Sequence, residues 1–321
     1  MLAHFSFGAT RLSSSAFRFA ATVVMGAWLS MLAVDALAQS KRPYQMGILG
    51  STDGTYVASS DIPIYWRTHA QPTGRSIIWL APDEDPDQYN IDWARIVAVY
   101  VDEPYIEELP DSSDCNVLAF NGKRNKLINL AATVREKAPR ARFWVNFRTH
   151  DIDLINRGCP LHGAFIDVIS MDVYGVEFDS AALKQRYYWL YNYHRAAPYQ
   201  QIALIAGTFT GGYQHQTAAD GAARLLGFLD YANTLNQYCH LPLGPVGRTG
   251  IYDECPVWMV AGFLGGVAPH SDKPGDPAYY PIDNPASALV FNAWQAAFAV
   301  PRIDPVRVRQ ARKMIPLLSD E

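Results

Sequence analysis

Two adjacent carboxyl groups, Asp102 and Glu103, directly follow the apolar run 97–101. Such a pair can divide general acid and general base work, because a nearby negative charge raises the pKa of its neighbour. The alternative is helix capping, since Asp is a favoured N-cap and Pro104 suits the first helical turn. Capping leaves Glu103 without a role, because Glu is a poor N-cap. The pair is therefore a candidate catalytic site.

Two other apolar runs also end in polar side chains. The run 142–147 contains Asn146 and is followed by Arg148, and the run 165–171 is followed by Asp172 and Tyr174. An amide and a guanidinium can orient a polar substrate, and a second acid can complete a carboxyl pair. A structural ion pair between Arg148 and Asp172 is the alternative, because buried pairs of this kind are common outside active sites.

The alternation of side chains along a strand predicts which residues share a face. The inward sets are Ala98, Tyr100 and Asp102, then Trp144, Asn146 and Arg148, then Ser170, Asp172 and Tyr174. Each set becomes polar toward the same end, so we expect the polar members to converge on one pocket, with Glu103 on its rim. Trp79 and Tyr105 are candidate stacking faces near this pocket.

The elements that position these residues alternate between strand and helix. Strands are predicted at 45–50, 76–80, 95–101, 142–147, 165–173, 201–207 and 257–264. Helical periodicity covers 126–137, 181–195, 218–236 and 285–298. This order, with nearly continuously apolar strands, predicts an α/β protein with a parallel sheet buried on both faces.

A (β/α)8 TIM-type barrel is the preferred architecture, because the chain beyond its first 38 residues is close to the ~250 residues typical of that fold. An open doubly wound sheet is disfavoured, since no GxGxxG follows the first strand. The eighth strand is expected at 62–66. Because the segment 51–75 is too short for a strand and a crossover helix, we expect an irregular or incomplete barrel.

Residues 1–38 have the features of a secretory signal. Arg11 and Arg18 precede the apolar run 19–34, and the small-residue site 36–38 follows. An uncleaved anchor is the alternative, but the run is shorter than the ~20 residues of a membrane span. We expect cleavage before Gln39, a periplasmic or secreted protein without a stable membrane span, one barrel domain at 39–300 and a tail at 301–321.

The four cysteines, Cys115, Cys159, Cys239 and Cys255, all lie in the exported part. An oxidising compartment permits disulfides, and four thiols allow three pairings. Pairing by proximity, Cys115 with Cys159 and Cys239 with Cys255, is preferred but not fixed by the sequence. A zinc site is disfavoured because no C-x-x-C or H-x-x-x-H spacing occurs. No cofactor is predicted.

Composition excludes two further classes of protein. The chain is 49% apolar and 18% charged, which disfavours a disordered protein. Its 27 basic and 31 acidic residues give a net charge of −4, and no basic stripe is present. A nucleic-acid partner is therefore not expected.

Asp102-Glu103-Pro104 resembles the Asn-Glu-Pro motif of retaining TIM-barrel glycoside hydrolases, in which the Glu is the acid/base. Residues 166–175 are similar to one strand of those enzymes, which often has the sequence pattern apolar-Asp-apolar-Ile-apolar-apolar-Asp-apolar-Tyr-Gly. The resemblance implies that Glu103 is the acid/base. Asp102 replaces the Asn that would hold the sugar 2-hydroxyl, and the run 257–264 has no Glu at the nucleophile's place, so no nucleophile is assigned.

The resulting hypothesis is an exported glycoside hydrolase-like protein that acts on a carbohydrate. Glu103 would protonate the leaving oxygen, Asp102 and Asp172 would share the base or nucleophile role, Asn146 and Arg148 would orient the substrate, and Trp79, Tyr105 and Tyr174 would stack on it. A carboxyl separation of about 5–5.5 Å would indicate retention and about 6.5–9.5 Å inversion.

Two alternatives stay open. One is a non-catalytic barrel that binds sugar, which the missing strand-end Glu favours. The other is a metal-dependent hydrolase with Asp102, Glu103 and Asp172 as oxygen ligands. Removal of metal would separate the second alternative from the rest, and turnover would separate the first from an enzyme.

Overall fold

The computed structural model describes residues 42–51, 59–66, 74–105, 118–171, 180–193, 195–197, 200–211, 217–237, 255–263, 279–280, 282 and 284–302. All of them belong to the unit Arg42–Glu321, one of two units into which the chain divides. The expected signal 1–38 and nearly all of the tail 301–321 lie outside the described residues. The domain boundaries therefore stay predictions.

Eight parallel strands in the described part of the chain close into a barrel. They are β1 Gln45–Ser51, β2 Ile64–Trp66, β3 Ser76–Trp79, β4 Ile96–Asp102, β5 Arg142–Phe147, β6 Val168–Met171, β7 Gln201–Gly207 and β9 Val257–Phe263. Neighbouring strands pair in chain order, and β9 pairs with β1 to close the ring. A separate antiparallel sheet joins β8 Thr210–Gly211 to β10 Tyr279–Tyr280. The predicted α/β class and TIM-type barrel are confirmed.

Five α-helices occur among the described residues. They are α1 Leu118–Lys137, α2 Thr149–Asn156, α3 Ser180–Tyr193, α4 Ala218–Asn236 and α5 Ala288–Ala299. None of these described helices has the length and apolar character needed to cross a membrane. Helix α2 was not predicted, and His150 lies half-buried in its first turn.

Strand β2 lies inside the region where the eighth strand was expected. Its Ile64 is paired with Leu49 of β1 and with Ile77 of β3. The approach on this side is close, because a Cβ built on Gly47 would lie 2.5 Å from the carbonyl oxygen of Ile62. A residue without a side chain at position 47 therefore lets the chain pack tightly where β2 is short.

The strands separate two apolar cores. The inner cluster fills the barrel and consists of Leu49, Ile62, Ile64, Ile77, Ala98, Tyr100, Trp144, Val168, Ala203, Ile205, Met259 and Ala261. The outer cluster includes Val99, Val101, Phe143 and Val145. The predicted alternation on β4 and β5 is thus confirmed for these residues. Val97 is an exception that packs partly against the inner cluster, close to an irregular β3–β4 register.

Two of the cysteines are described, and both are disulfide-bonded. These are Cys159, after α2, and Cys255, before β9. Cys115 and Cys239 lie outside the described residues, so the proximity pairing stays a prediction.

Candidate active site

Asp102 ends β4 at the C-terminal mouth of the barrel. Its Oδ1 accepts hydrogen bonds from the Tyr100 hydroxyl at 2.7 Å and from Asn146 Nδ2 at 2.9 Å. The residue keeps some exposure to solvent, but protein surrounds most of the carboxyl group. Burial raises the pKa of Asp102 above its ordinary value, and the two hydrogen bonds offset only part of that increase. The result is a carboxyl group suited to exchange a proton.

A buried chain of hydrogen bonds leads to Asp102 from the barrel interior. Asn146 of β5 is in register with Asp102, and Ser170 of β6 is in register with Asn146. The Ser170 hydroxyl donates to Asn146 Oδ1 at 2.7 Å, and Trp144 Nε1 donates to Ser170 Oγ at 2.7 Å. Trp144, Asn146 and Ser170 are fully buried. Alternation placed these side chains inside the barrel, but their connection to Asp102 was not foreseen.

Glu103 directly follows β4 with an unusual backbone. Its φ is +36°, and among the described residues it is the non-glycine residue in the positive-φ region. Its N–H donates to the carbonyl oxygen of Asn146 at 3.0 Å, which continues the pairing with β5. A strained non-glycine backbone is costly, and such residues cluster at functional sites.

The capping alternative does not account for Asp102. A capping carboxylate accepts hydrogen bonds from backbone N–H groups of the first helical turn. Both hydrogen bonds that the structure describes for Asp102 come instead from side chains inside the barrel.

Arg148 lies beyond the end of β5 and is the N-cap residue of α2. Its Nη2 lies 2.7 Å from Oδ1 of the fully buried Asp151, and it also donates to the carbonyl oxygen of Tyr105 at 3.2 Å. Because the strand ends at Phe147, strand alternation does not set the orientation of Arg148, which corrects that part of our interpretation. Asp151 was missed, since the short helix was not predicted. Asp172, the expected partner, and Tyr174 lie outside the described residues.

The two described stacking candidates differ in exposure. Trp79 of β3 is partly exposed and packs edge-to-face on Tyr100, with ring centroids 5.4 Å apart. Tyr105 is fully buried; its hydroxyl donates to the carbonyl oxygen of Leu161 at 3.0 Å, and its ring stacks on Phe147. The expectation that Tyr105 stacks on a substrate is therefore wrong, because its ring belongs to the outer core.

Of the two acids in the 166–175 motif, Asp167 lies among the described residues and Asp172 lies outside them. Asp167 precedes β6, and its Oδ2 accepts from the Phe143 N–H at 2.7 Å, at the end of the barrel opposite the mouth. This acid is structural. Within the described ranges, no group of three or more His, Cys, Asp or Glu residues is placed to hold a metal ion.

No family model and no curated protein matches the chain. Similar solved structures include a mutant of xylanase A from P fluorescens subsp. cellulosa with xylopentaose, which is 12% identical with a TM-score of 0.41 and covers 79% of this chain and 98% of its own. A GH10 structure from Paenibacillus barcinonensis is 11% identical with a TM-score of 0.42, covering 81% and 96%. A thermostable xylanase mutant from Cellvibrio japonicus is 12% identical with a TM-score of 0.42, covering 81% and 99%.

Proposed function

We propose that this chain is a glycoside hydrolase-like protein that cleaves glycosidic bonds of a polysaccharide or oligosaccharide at the barrel mouth. The observation that carries the proposal is the carboxyl pair at the end of β4. Asp102 is held by Tyr100 and Asn146 and has a raised pKa, and Glu103 beside it has a strained backbone. Strain and perturbed carboxyl groups coincide at active sites more often than elsewhere.

In this mechanism Glu103 gives its proton to the glycosidic oxygen as the bond to the anomeric carbon breaks. In the same step Asp102 or Asp172 acts in one of two ways. It attacks the anomeric carbon to form a glycosyl-enzyme, which water hydrolyses as Glu103 takes the water's proton back, and this gives retention; or it removes a proton from a water that attacks the anomeric carbon, and this gives inversion. The partly exposed ring of Trp79 offers an apolar face to a sugar ring. Asn146 is fully buried, so we assign it to Asp102 and not to the substrate.

The proposal includes export and disulfide formation. Cleavage before Gln39 would release a periplasmic or secreted protein, and Cys159 and Cys255 would pair with Cys115 and Cys239 respectively. Mass spectrometry of the exported protein, digested without reductant, tests the new N-terminus and the pairing together. A fragment joining Cys159 to Cys239 would contradict the proximity pairing.

A non-catalytic sugar-binding barrel is the second candidate. The observation that favours it is the absence of any carboxyl group from the described strands β7 and β9, on the side of the barrel that faces β4 and β5. A protein of this kind would bind glycans without turnover.

The test compares Glu103→Gln with the wild type on a panel of α- and β-linked glycans. We expect kcat to fall by about 10²–10⁴, the size of a general-acid contribution, with folding intact. Substrates with activated leaving groups should lose less, because they need little protonation. Glu136→Gln, on the exposed side of α1, is the matched control.

Full activity in Glu103→Gln would remove Glu103 from catalysis. Glycan binding without turnover by the wild type would favour the sugar-binding barrel. Loss of wild-type activity on chelation, restored by a divalent cation, would favour the metal-dependent alternative.

A further inference from the structure

The two oxygens of the Asp102 carboxyl group have different environments. Both described donors, the Tyr100 hydroxyl at 2.7 Å and Asn146 Nδ2 at 2.9 Å, point to Oδ1. Oδ2 takes neither of these hydrogen bonds. Because two donors already occupy Oδ1, a proton on Asp102 is better placed on Oδ2.

The donor order along the buried chain is fixed by chemistry. An indole N–H can only donate, so Ser170 Oγ must accept from Trp144. The Ser170 hydroxyl proton is then directed to Asn146 Oδ1. With its oxygen engaged in this way, Asn146 can only present its NH₂ group to Asp102. A carboxylate, which accepts only, completes the sequence.

We propose that Trp144, Ser170, Asn146 and Tyr100 are positioning residues that keep Oδ1 of Asp102 as an acceptor and leave Oδ2 as the oxygen that gains and loses a proton at the mouth. The catalytic meaning of this assignment rests on the proposed function. The positioning itself does not, because protonation of Asp102 can be followed without any substrate.

The groups on the elements next to Asp102 determine which charges can affect its protonation. Tyr100 lies on β4 and Glu103 directly follows that strand. Trp79 lies on β3, and Asn146 lies on β5, which Arg148 follows. Of these, Trp79 and Asn146 do not titrate, and Arg148 is paired with Asp151. Asp172 follows β6 in the sequence and lies outside the described residues. Glu103, the next residue along the chain, is the described acid adjacent to Asp102 in sequence.

The test follows the side-chain carboxyl carbon of Asp102 by NMR after isotope labelling of aspartate, with the signal assigned by its loss in Asp102→Asn. Ser170→Ala lets the Asn146 amide rotate, and Tyr100→Phe removes the second donor. Each change removes a hydrogen bond that favours the charged form, so Asp102 should titrate at higher pH in both variants. Ser170→Thr keeps the hydroxyl and should move the titration less than Ser170→Ala.

Ser76→Ala is the matched control, because Ser76 is a fully buried barrel serine whose hydroxyl has no described hydrogen bond. It should leave the Asp102 titration in place. In turnover assays, Ser170→Ala and Tyr100→Phe should lower kcat by about tenfold and change KM by less than about twofold, as expected for one lost hydrogen bond to a charged group.

An Asp102 titration that is the same in the wild type, Ser170→Ala and Tyr100→Phe would overturn the proposal. If Ser170→Ala does not fold, Tyr100→Phe decides alone, since it keeps the ring that packs on Trp79 and Trp144. Shifted titrations in a protein that cleaves no glycan would leave the positioning intact and reject the proposed function. Turnover that depends on Glu103, together with an unshifted Asp102 titration in both variants, would support the proposed function and reject the positioning.

Discussion

The two sides of the barrel differ in what they present to its interior. On β4, β5 and β6 the inward side chains become polar toward the mouth, ending in Asp102, Asn146 and Ser170. On β7 and β9 the inward side chains are small or apolar, namely Ala203, Ile205, Met259 and Ala261. We call these the polar wall and the apolar wall. The comparison shows that one wall carries the candidate chemistry while the other provides packing.

The difference follows from the cost of burying polar groups. A buried hydroxyl or amide without a partner costs about 1–3 kcal/mol, so polar side chains inside a barrel are stabilised when they hydrogen-bond to one another. On the polar wall they do so across three adjacent strands. The apolar wall has no such requirement, because its inward side chains are small or apolar. A second carboxyl group for catalysis must therefore come from the polar wall or from segments between strands, such as Asp172.

The largest predicted effect concerns the ion pair of Arg148, which follows strand β5 of the polar wall. Arg148→Met should lower the free energy of unfolding by about 3 kcal/mol, because Asp151 is fully buried and would lose its ion-pair partner. Urea unfolding measures this loss. Arg140→Met, at an exposed position after α1, is the control and should change stability by less than about 0.5 kcal/mol. Equal stability of both variants would show that Asp151 does not depend on Arg148.

Gly47→Ala tests whether close packing stabilises β1, the strand that pairs with β9 of the apolar wall. We expect a loss of about 1–3 kcal/mol, because the new Cβ would meet the Ile62 carbonyl oxygen at 2.5 Å and backbone cannot move aside cheaply. Gly122→Ala in α1 has open space around its Cβ and should stabilise the helix by roughly 0.5–1 kcal/mol. Opposite signs in thermal melts would support the distinction, and a neutral Gly47→Ala would contradict it.

The sequence predicted the barrel better than it predicted the site. Continuously apolar strands and period-two alternation correctly placed Tyr100, Trp144 and Ser170 inside, since burial on both faces leaves little freedom. Alternation has no information beyond the last strand residue, so it could not orient Arg148. Tyr105 was misassigned for a similar reason: a residue in a turn after a strand can join either core. The hydrogen bonds from Trp144 to Asp102 depend on register between three strands, which one sequence does not contain.

Asp102→Asn should raise stability at neutral pH. Burial raises the pKa of Asp102 in the folded protein above its ordinary value of 3.8. In the pH window between 3.8 and that raised pKa, the folded chain therefore binds more protons than the unfolded chain. Stability therefore falls as pH rises through the window, and Asn avoids this loss. We expect a gain of about 0.5–2 kcal/mol at about pH 7 that disappears near pH 3.

Unfolding of both proteins across pH measures the difference for Asp102→Asn, with Asp153→Asn on the exposed side of α2 as the control. A constant offset at all pH values would mean that ionisation of Asp102 is not the cause. If the stability gain of Asp102→Asn grows as pH rises, the ionised carboxyl group of Asp102 destabilises the polar wall. Such a cost is expected for a carboxyl group that is kept for function.

The smallest predicted effect concerns the backbone of Glu103. A left-handed backbone costs a residue with a Cβ about 1–2 kcal/mol, while glycine brings an entropic cost of about 0.5–1 kcal/mol. At φ +36°, Glu103→Gly should therefore be more stable than Glu103→Ala by up to about 1 kcal/mol, although both variants lack the carboxyl group. Urea unfolding of this matched pair isolates the strain from the loss of charge. Glu103→Gly that is no more stable than Glu103→Ala would show that the backbone is relaxed there; a stable but inactive Glu103→Gly would show that strain is kept where the carboxyl group is needed.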